Sequence, residues 1–235
     1  MVTSASESWI PTLDGTTPDS DGKTRTQSSA IPCTSCDEYW TTTSASIMTL
    51  DTSNTQLLSN YIGGTGEKAL STKLPFALSI TGWQIDWTVI LMSGNRNNSN
   101  VFLNVASFSG ADYKPAPAEN NEYASILANT DNDDWMINLR AYPSGSSLQP
   151  SVETTAQAGG NQTDSTNYYR LKSDGSALTG QLFSDADRTV QVGTDQVASY
   201  TTGVNYNLGV TQYLGIATDD FATNFAVKTI TVTNL

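Results

Sequence analysis

The chain has no histidine, and only two of its 235 residues are cysteine. The first absence removes Ser-His-Asp and Cys-His nucleophile systems and the commonest metal ligand. Carboxylate, lysine or tyrosine chemistry is what remains. Basic residues are scarce as well: 11 Lys plus Arg against 23 Asp plus Glu leave a formal charge of -12, which argues against nucleic acid or an anionic membrane as a partner met through a basic face. No apolar run approaches the roughly 18 residues that span a bilayer, and Met1-Val2-Thr3-Ser4 opens a polar stretch, not a charged and then apolar leader. The expectation is a chain made in a cytoplasm, without a signal peptide or a transmembrane segment. Helix-period patterning is almost missing too. One short helical turn is expected between Asp51 and Tyr61, where Leu57, Leu58 and Tyr61 fall at helical spacing before Gly63-Gly64.

The two cysteines form a C-x-x-C, Cys33-Thr-Ser-Cys36. A redox pair needs a basic group or a helix N-terminus to stabilise the thiolate, and the neighbours here are Ser, Thr, Pro and Asp. A zinc site needs two further ligands that only symmetry mates could supply. The pair reads first as a loop thiol pair or a local disulfide, then as an inter-subunit metal site, and last as a catalytic dithiol.

What the chain does have is a period of two, the mark of sheet. Leu74, Phe76, Leu78 and Ile80 share one face of an expected strand, and Ile85, Trp87, Val89 and Leu91 continue in phase beyond a bend at Gly82. The turn cluster of residues 93–100 then leads to Val101, Leu103 and Val105 as the returning strand of a hairpin. Trp135, Ile137 and Leu139 alternate after the acidic loop Asp131-Asn132-Asp133-Asp134, and one strand is expected around Ser151 to Thr155. From Tyr168 onward the pattern is densest. Tyr168 to Lys172, the turn Ser173-Asp174-Gly175-Ser176 and Leu178 to Phe183 form a hairpin, residues 184–188 turn into Thr189 to Val192, and strands at Tyr213 to Ala217 and Phe225 to Thr233 follow. In the last strand Ile230 and Val232 alternate with Thr229, Thr231 and Thr233, as in a half-buried outer strand. Roughly ten to thirteen strands are too many for a small barrel and fit an all-β, two-sheet antiparallel jelly-roll sandwich.

Residues 44–235 are assigned to that sandwich. Residues 1–43 are rich in Ser, Thr, Pro, Asp and Gly, with few apolar anchors. They read as an extended N-terminal arm that cannot fold by itself and lies against a neighbour, with Trp9 and Trp40 as its docking points.

The order of the pieces resembles the concanavalin A-like lectin/glucanase jelly roll in its laminin G-like form, of the kind found in phage and virus structural proteins. The resemblance is carried by the alternating strand near Phe76 to Trp83, the hairpin at Trp87 to Val105, the Tyr168-Tyr-Arg-Leu-Lys-Ser-Asp-Gly175 hairpin, the Ser184-Asp-Ala-Asp187 turn and the terminal Ala226 to Asn234 run. It covers roughly residues 70 to 235 and rests on pattern. The glucanases of that group carry Glu-x-Asp-x-x-Glu on a strand, which nothing here matches. Glu119, Glu122 and Glu153 fall in expected loops. The lyases of similar fold need a histidine that is absent. The expectation is therefore a non-enzyme.

For the lectins of the group, the resemblance implies loops and an aromatic platform at one edge of a concave sheet, often organised by calcium. Asp131, Asp133 and Asp134 are the candidate calcium ligands, although that loop lacks the Gly and the bidentate Glu of a calcium hand. Tyr113, Tyr142 and Tyr206 lie near loops and are the candidate glycan contacts. Trp83, Trp87 and Trp135 sit within strand pattern and read as core. Tyr168 and Tyr169 must face opposite ways. Two functions lead, with a polysaccharide hydrolase or lyase ranked last. The first is a virion-type structural component at the particle surface, a decoration or fibre protein held to other subunits, copies of itself included, by its arm. The second is a carbohydrate-binding module for a cell-surface glycan.

Overall fold

A computed structural model describes the backbone of residues 8–9, 41–42, 48–51, 56–60, 68–74, 76, 78–79, 81–94, 99–106, 123–131, 134–142, 151–154, 166–199, 213–218 and 223–235, with side chains at 56, 74, 76, 78–79, 81–90, 166–197 and 225–235. The described residues form strands and no helix: β1 (Ser8–Trp9), β2 (Thr41–Thr42), β3 (Met48–Asp51), β4 (Gln56–Asn60), β5 (Lys68–Lys73), β6 (Trp83–Gly94), β7 (Ser99–Ala106), β8 (Tyr123–Asp131), β9 (Asp134–Tyr142), β10 (Ser151–Thr154), β11 (Thr166–Ser173), β12 (Ala177–Phe183), β13 (Gln191–Ser199), β14 (Tyr213–Thr218) and β15 (Thr223–Asn234). They make two sheets, and every pairing is antiparallel. One is eight-stranded, in the order β13-β12-β11-β6-β15-β4-β3 with β1 also on β15. The other is seven-stranded, in the order β10-β9-β8-β7-β14-β5-β2.

The eight-stranded sheet turns one face into the core. Ile85, Trp87 and Val89 of β6, Tyr169 and Leu171 of β11, and Leu178 and Leu182 of β12 are fully buried. Each such side chain stabilises the fold by about 1.5–3 kcal/mol relative to exposure. In β15 the inward set changes phase, since Phe225, Val227, Ile230 and Val232 are all buried. A bulge between Val227 and Thr229 inserts Lys228 and restores the inward register.

The expected β11–β12 hairpin forms, pairing Tyr168 with Phe183 and Ser173 with Leu178. Its turn is held by the Asp174 carboxylate, which accepts from the backbone N–H groups of Ser176 (2.8 Å) and Ala177 (2.9 Å). Gly175 sits there at φ 83°, a conformation that glycine adopts without strain. Gly82, just before β6, lies close to the last residue. Its carbonyl accepts from the Leu235 N–H at 3.0 Å, and a Cβ there would lie 3.3 Å from the Leu235 Cβ.

Several expectations are corrected. The helical turn between Asp51 and Tyr61 is sheet: β3 ends at Asp51, and β4 pairs Leu57 with Leu50 and Leu58 with Thr49. An adjacent apolar pair fits a helix stripe and a strand equally, and ladder partners on both sides decide. The described residues between Lys73 and Trp83 carry no strand, although Leu74 and Leu78 are buried. Pro75 has no N–H to give to a ladder. β6 and β7 are not a hairpin; they belong to different sheets, β7 lying between β14 and β8. β15 is not an outer strand either, because β6 flanks it on one side and β4 and β1 on the other. Glu153 stands opposite Asn138 in β10, the strand expected around Ser151 to Thr155, and not in a loop.

Candidate functional site

The outer face of the eight-stranded sheet carries a dense polar cluster. Asp86 and Arg170 are ladder partners, and Arg170 donates from Nε to Oδ1 at 2.7 Å and from Nη2 to Oδ2 at 3.1 Å. Gln84 Nε2 adds a bond to Asp86 Oδ2 at 2.9 Å. Arg188 folds back over this face from the turn after β12. It donates from Nη2 to the Trp87 carbonyl at 3.2 Å and from Nη1 to the Ala186 carbonyl at 3.1 Å, with Nε 3.5 Å from Asp86 Oδ1. Burial lowers the pKa of Arg188, and Asp86 beside it works the other way. The two guanidiniums lie over aromatic rings: Arg170 is 5.3 Å from the Phe183 centroid and Arg188 5.7 Å from that of Tyr168. Farther along, Gln181 and Gln191 each donate to Asp195 Oδ1 at 2.8 Å. Burial raises the pKa of Asp195, but those two bonds and Lys172 outweigh it and the net direction is down. These groups bind one another.

The seven-stranded sheet differs. Its register sorts β5, β7, β8, β9 and β14 into two alternating sets. One, mostly apolar, holds Leu70, Val101, Leu103, Val105, Ile126, Trp135, Ile137, Leu139, Leu214 and Ile216 together with Lys68, Thr72 and Thr218; a sandwich turns its more apolar set inward. The other set is mixed: its first two rows are mainly polar and aromatic, and its third, Asn138, Leu127, Phe102, Ala217 and Ala69, is mostly apolar. Its first transverse row is Tyr142, Tyr123, Ala106, Tyr213 and Lys73, and its second is Arg140, Ser125, Asn104, Gly215 and Ser71. Ser151 and Glu153 of β10 stand opposite Arg140 and Asn138. Three tyrosines thus occupy one row at one end of the sheet, about 15 Å from Tyr142 to Tyr213 at the usual strand spacing.

Of the expected contact residues, Tyr142 is in this row. Tyr113 and Tyr206 lie outside the described residues, in the connections that run from Ala106 to Tyr123 and from Ser199 to Tyr213. Both connections enter the sheet at the tyrosine row. Asp131 and Asp134 pair at the opposite end of β8 and β9, about 26 Å from Tyr142 along β9, and Asp133 lies outside the described residues. Asp131 and Asp134 therefore stand at the other end of β9 from Tyr142. Among the described residues no three His, Cys, Asp or Glu group as metal ligands do. Trp9 is on β1, opposite Val232 of its own chain, whereas Trp40, Cys33 and Cys36 lie outside the described residues. Trp83 and Trp87 are core, as expected, and Tyr169 is buried while Tyr168 is not.

No family model and no curated protein matches the chain. Solved structures do. The VIP36 exoplasmic/lumenal domain in its Ca2+-bound form superposes with a TM-score of 0.59 at 12% identity, over 96% of this chain and 90% of that one. The legume lectin-like domain from Entamoeba histolytica gives 0.57 at 10% identity, over 83% of this chain and 90% of that one. The CBM2 module of the evolved Dit of Lactobacillus casei BL23 phage J-1 gives 0.51 at 12% identity, over 99% of this chain and 91% of that one. The chain has the concanavalin A-like lectin fold. Tyr123, Tyr213 and Arg140 are not legible in the sequence as members of these rows. Each is an ordinary strand residue until the register puts it in its row.

Proposed function

We propose that the protein is a non-enzymatic carbohydrate-binding module that takes a glycan on the tyrosine-bearing face of its seven-stranded sheet. The observation that carries this is the row of Tyr123, Tyr142 and Tyr213, followed by a row of hydroxyl, amide and guanidinium residues. Aromatic rings supply flat apolar area, and the polar neighbours match sugar hydroxyls. Support also comes from the lectin and carbohydrate-binding neighbours, one of them the Ca2+/Man3GlcNAc-bound form of the VIP36 domain. In this reading calcium is held by Asp131, Asp133 and Asp134, away from the tyrosine row. A glycan array run with calcium and with chelator tests the reading. Binding that is lost in Tyr142→Ala and Tyr213→Ala is the expected result, and no binding to any sugar in either condition would end it.

A second reading places the module on the surface of a virus particle, tied to other subunits by residues 1–43 through Trp9 and Trp40. Its support is the phage module, which matches across nearly the whole chain. Deleting residues 1–43 should then abolish incorporation into the particle while the remaining chain keeps its sheet signal in circular dichroism. Unchanged incorporation would remove the arm from the account.

A further inference from the structure

We propose that the glycan bears an anionic group, a carboxylate or a phosphate, and that Arg140 selects it. This rests on the glycan reading above and deepens it. The chain holds 23 acidic residues against 11 basic ones, yet the first two rows of the tyrosine-bearing face reverse that balance. They contain Lys73 and Arg140 and no Asp or Glu. Among the described residues of this face, carboxylates return at Glu153, opposite Asn138 in the third row, and at Asp131 and Asp134 at the far end. Arg140 stands two residues from Tyr142 on β9, about 7 Å along the strand. A sugar ring placed on the tyrosine row would therefore put a ring substituent within reach of the Arg140 position. A guanidinium offers a planar fork that matches both carboxylate and phosphate oxygens. A solely structural role competes with this: Glu153 is the diagonal neighbour of Arg140 across the β9–β10 ladder, where opposite charges attract.

The experiment measures the full chain against pairs of immobilised oligosaccharides that differ only by one uronate carboxylate or by one phosphate. The expected result is binding of the charged member tighter by at least about tenfold, the worth of one charge-assisted hydrogen bond. That preference should weaken with added salt, vanish in Arg140→Gln, survive in part in Arg140→Lys and persist in Glu153→Gln. Arg140→Gln should keep the sheet signal of the wild type in circular dichroism, which shows that the variant is folded. The uronate and phosphate arms tell the two anions apart. Equal affinity for both members of every pair, or a preference that survives Arg140→Gln, would overturn the charge assignment and leave the glycan reading in place. No binding to either member of any pair would overturn both.

Discussion

Arg170 and Asp86 face each other across the β6–β11 ladder, and the guanidinium donates two hydrogen bonds into the carboxylate, at 2.7 Å and 3.1 Å. Asp86 also stands between Arg170 and Arg188, so it separates two cations. The side chains of the pair keep 23% and 18% of their exposure, which places them between surface and buried ion pairs in worth. Asp86→Ala is expected to destabilise by about 2 kcal/mol and Arg170→Ala by less, because only the first leaves two guanidiniums facing each other. Urea unfolding of both single variants and the double variant checks this. The reverse order of the two effects would refute it.

Arg188 holds a left-handed backbone at φ 54°, which costs a residue with a Cβ about 1 kcal/mol. Its side chain offsets that cost through the Trp87 and Ala186 carbonyls. Arg188→Gly should therefore be the milder truncation, and Arg188→Ala should be about 1 kcal/mol less stable than it. Equal unfolding midpoints for the two would show that the backbone strain is not felt.

Asp174 and Asp185 tie their turns by accepting backbone hydrogen bonds. The bond from the Ser176 side chain lowers the pKa of Asp174 most, and that from the Val190 N–H lowers the pKa of Asp185 most. A carboxylate with a lower pKa in the folded state adds stability above its unfolded pKa and loses it as the pH falls through the folded value. Wild-type melting temperature should then fall steeply below about pH 4. In Asp174→Asn plus Asp185→Asn, where the side-chain oxygens still accept but no longer titrate, the slope should be shallower. Parallel curves from pH 7 to pH 2 would contradict this.

Trp87 is fully buried, with its ring 5.2 Å from that of Tyr169, and its Nε1 has no hydrogen-bond partner among the described residues. Trp87→Phe loses volume but also removes a buried unpaired donor, so its expected cost is about 1 kcal/mol, against about 3–5 kcal/mol for Trp87→Ala. Chemical denaturation separates the two. A Phe variant as unstable as the Ala variant would mean that the indole N–H is satisfied in solution.

The sequence discloses faces more readily than neighbours. Tyr168 to Phe183 was legible as a hairpin because its four-residue Ser-Asp-Gly-Ser turn and two alternating arms are all local. The alternation of Ile230 and Val232 with threonine correctly marked the buried side of β15. It is silent, however, on how many strands flank that strand, since any strand with one covered face alternates in the same way. The residues after Gly94 announce a change of direction but not whether the chain returns along its own sheet or crosses to the other. The tyrosine row needed more still. Tyr123 and Tyr142 meet through a local β8–β9 pairing, but Tyr213 reaches their row only through β14 pairing with β7, a contact between segments about a hundred residues apart.

The position of β15 sets an order of events in time. β6 is synthesised well over a hundred residues before the strand that becomes its longest partner. Throughout that interval β6 and β4 each present an open edge where β15 will lie. Such long-range closure is slow, and unpaired edges invite association with other chains. A nascent molecule stalled before Thr223 would be missing the strand that joins the two parts of its larger sheet. Its hazard would be capture by another chain's edge more than loss of a binding residue, since the tyrosine row is already in the polypeptide.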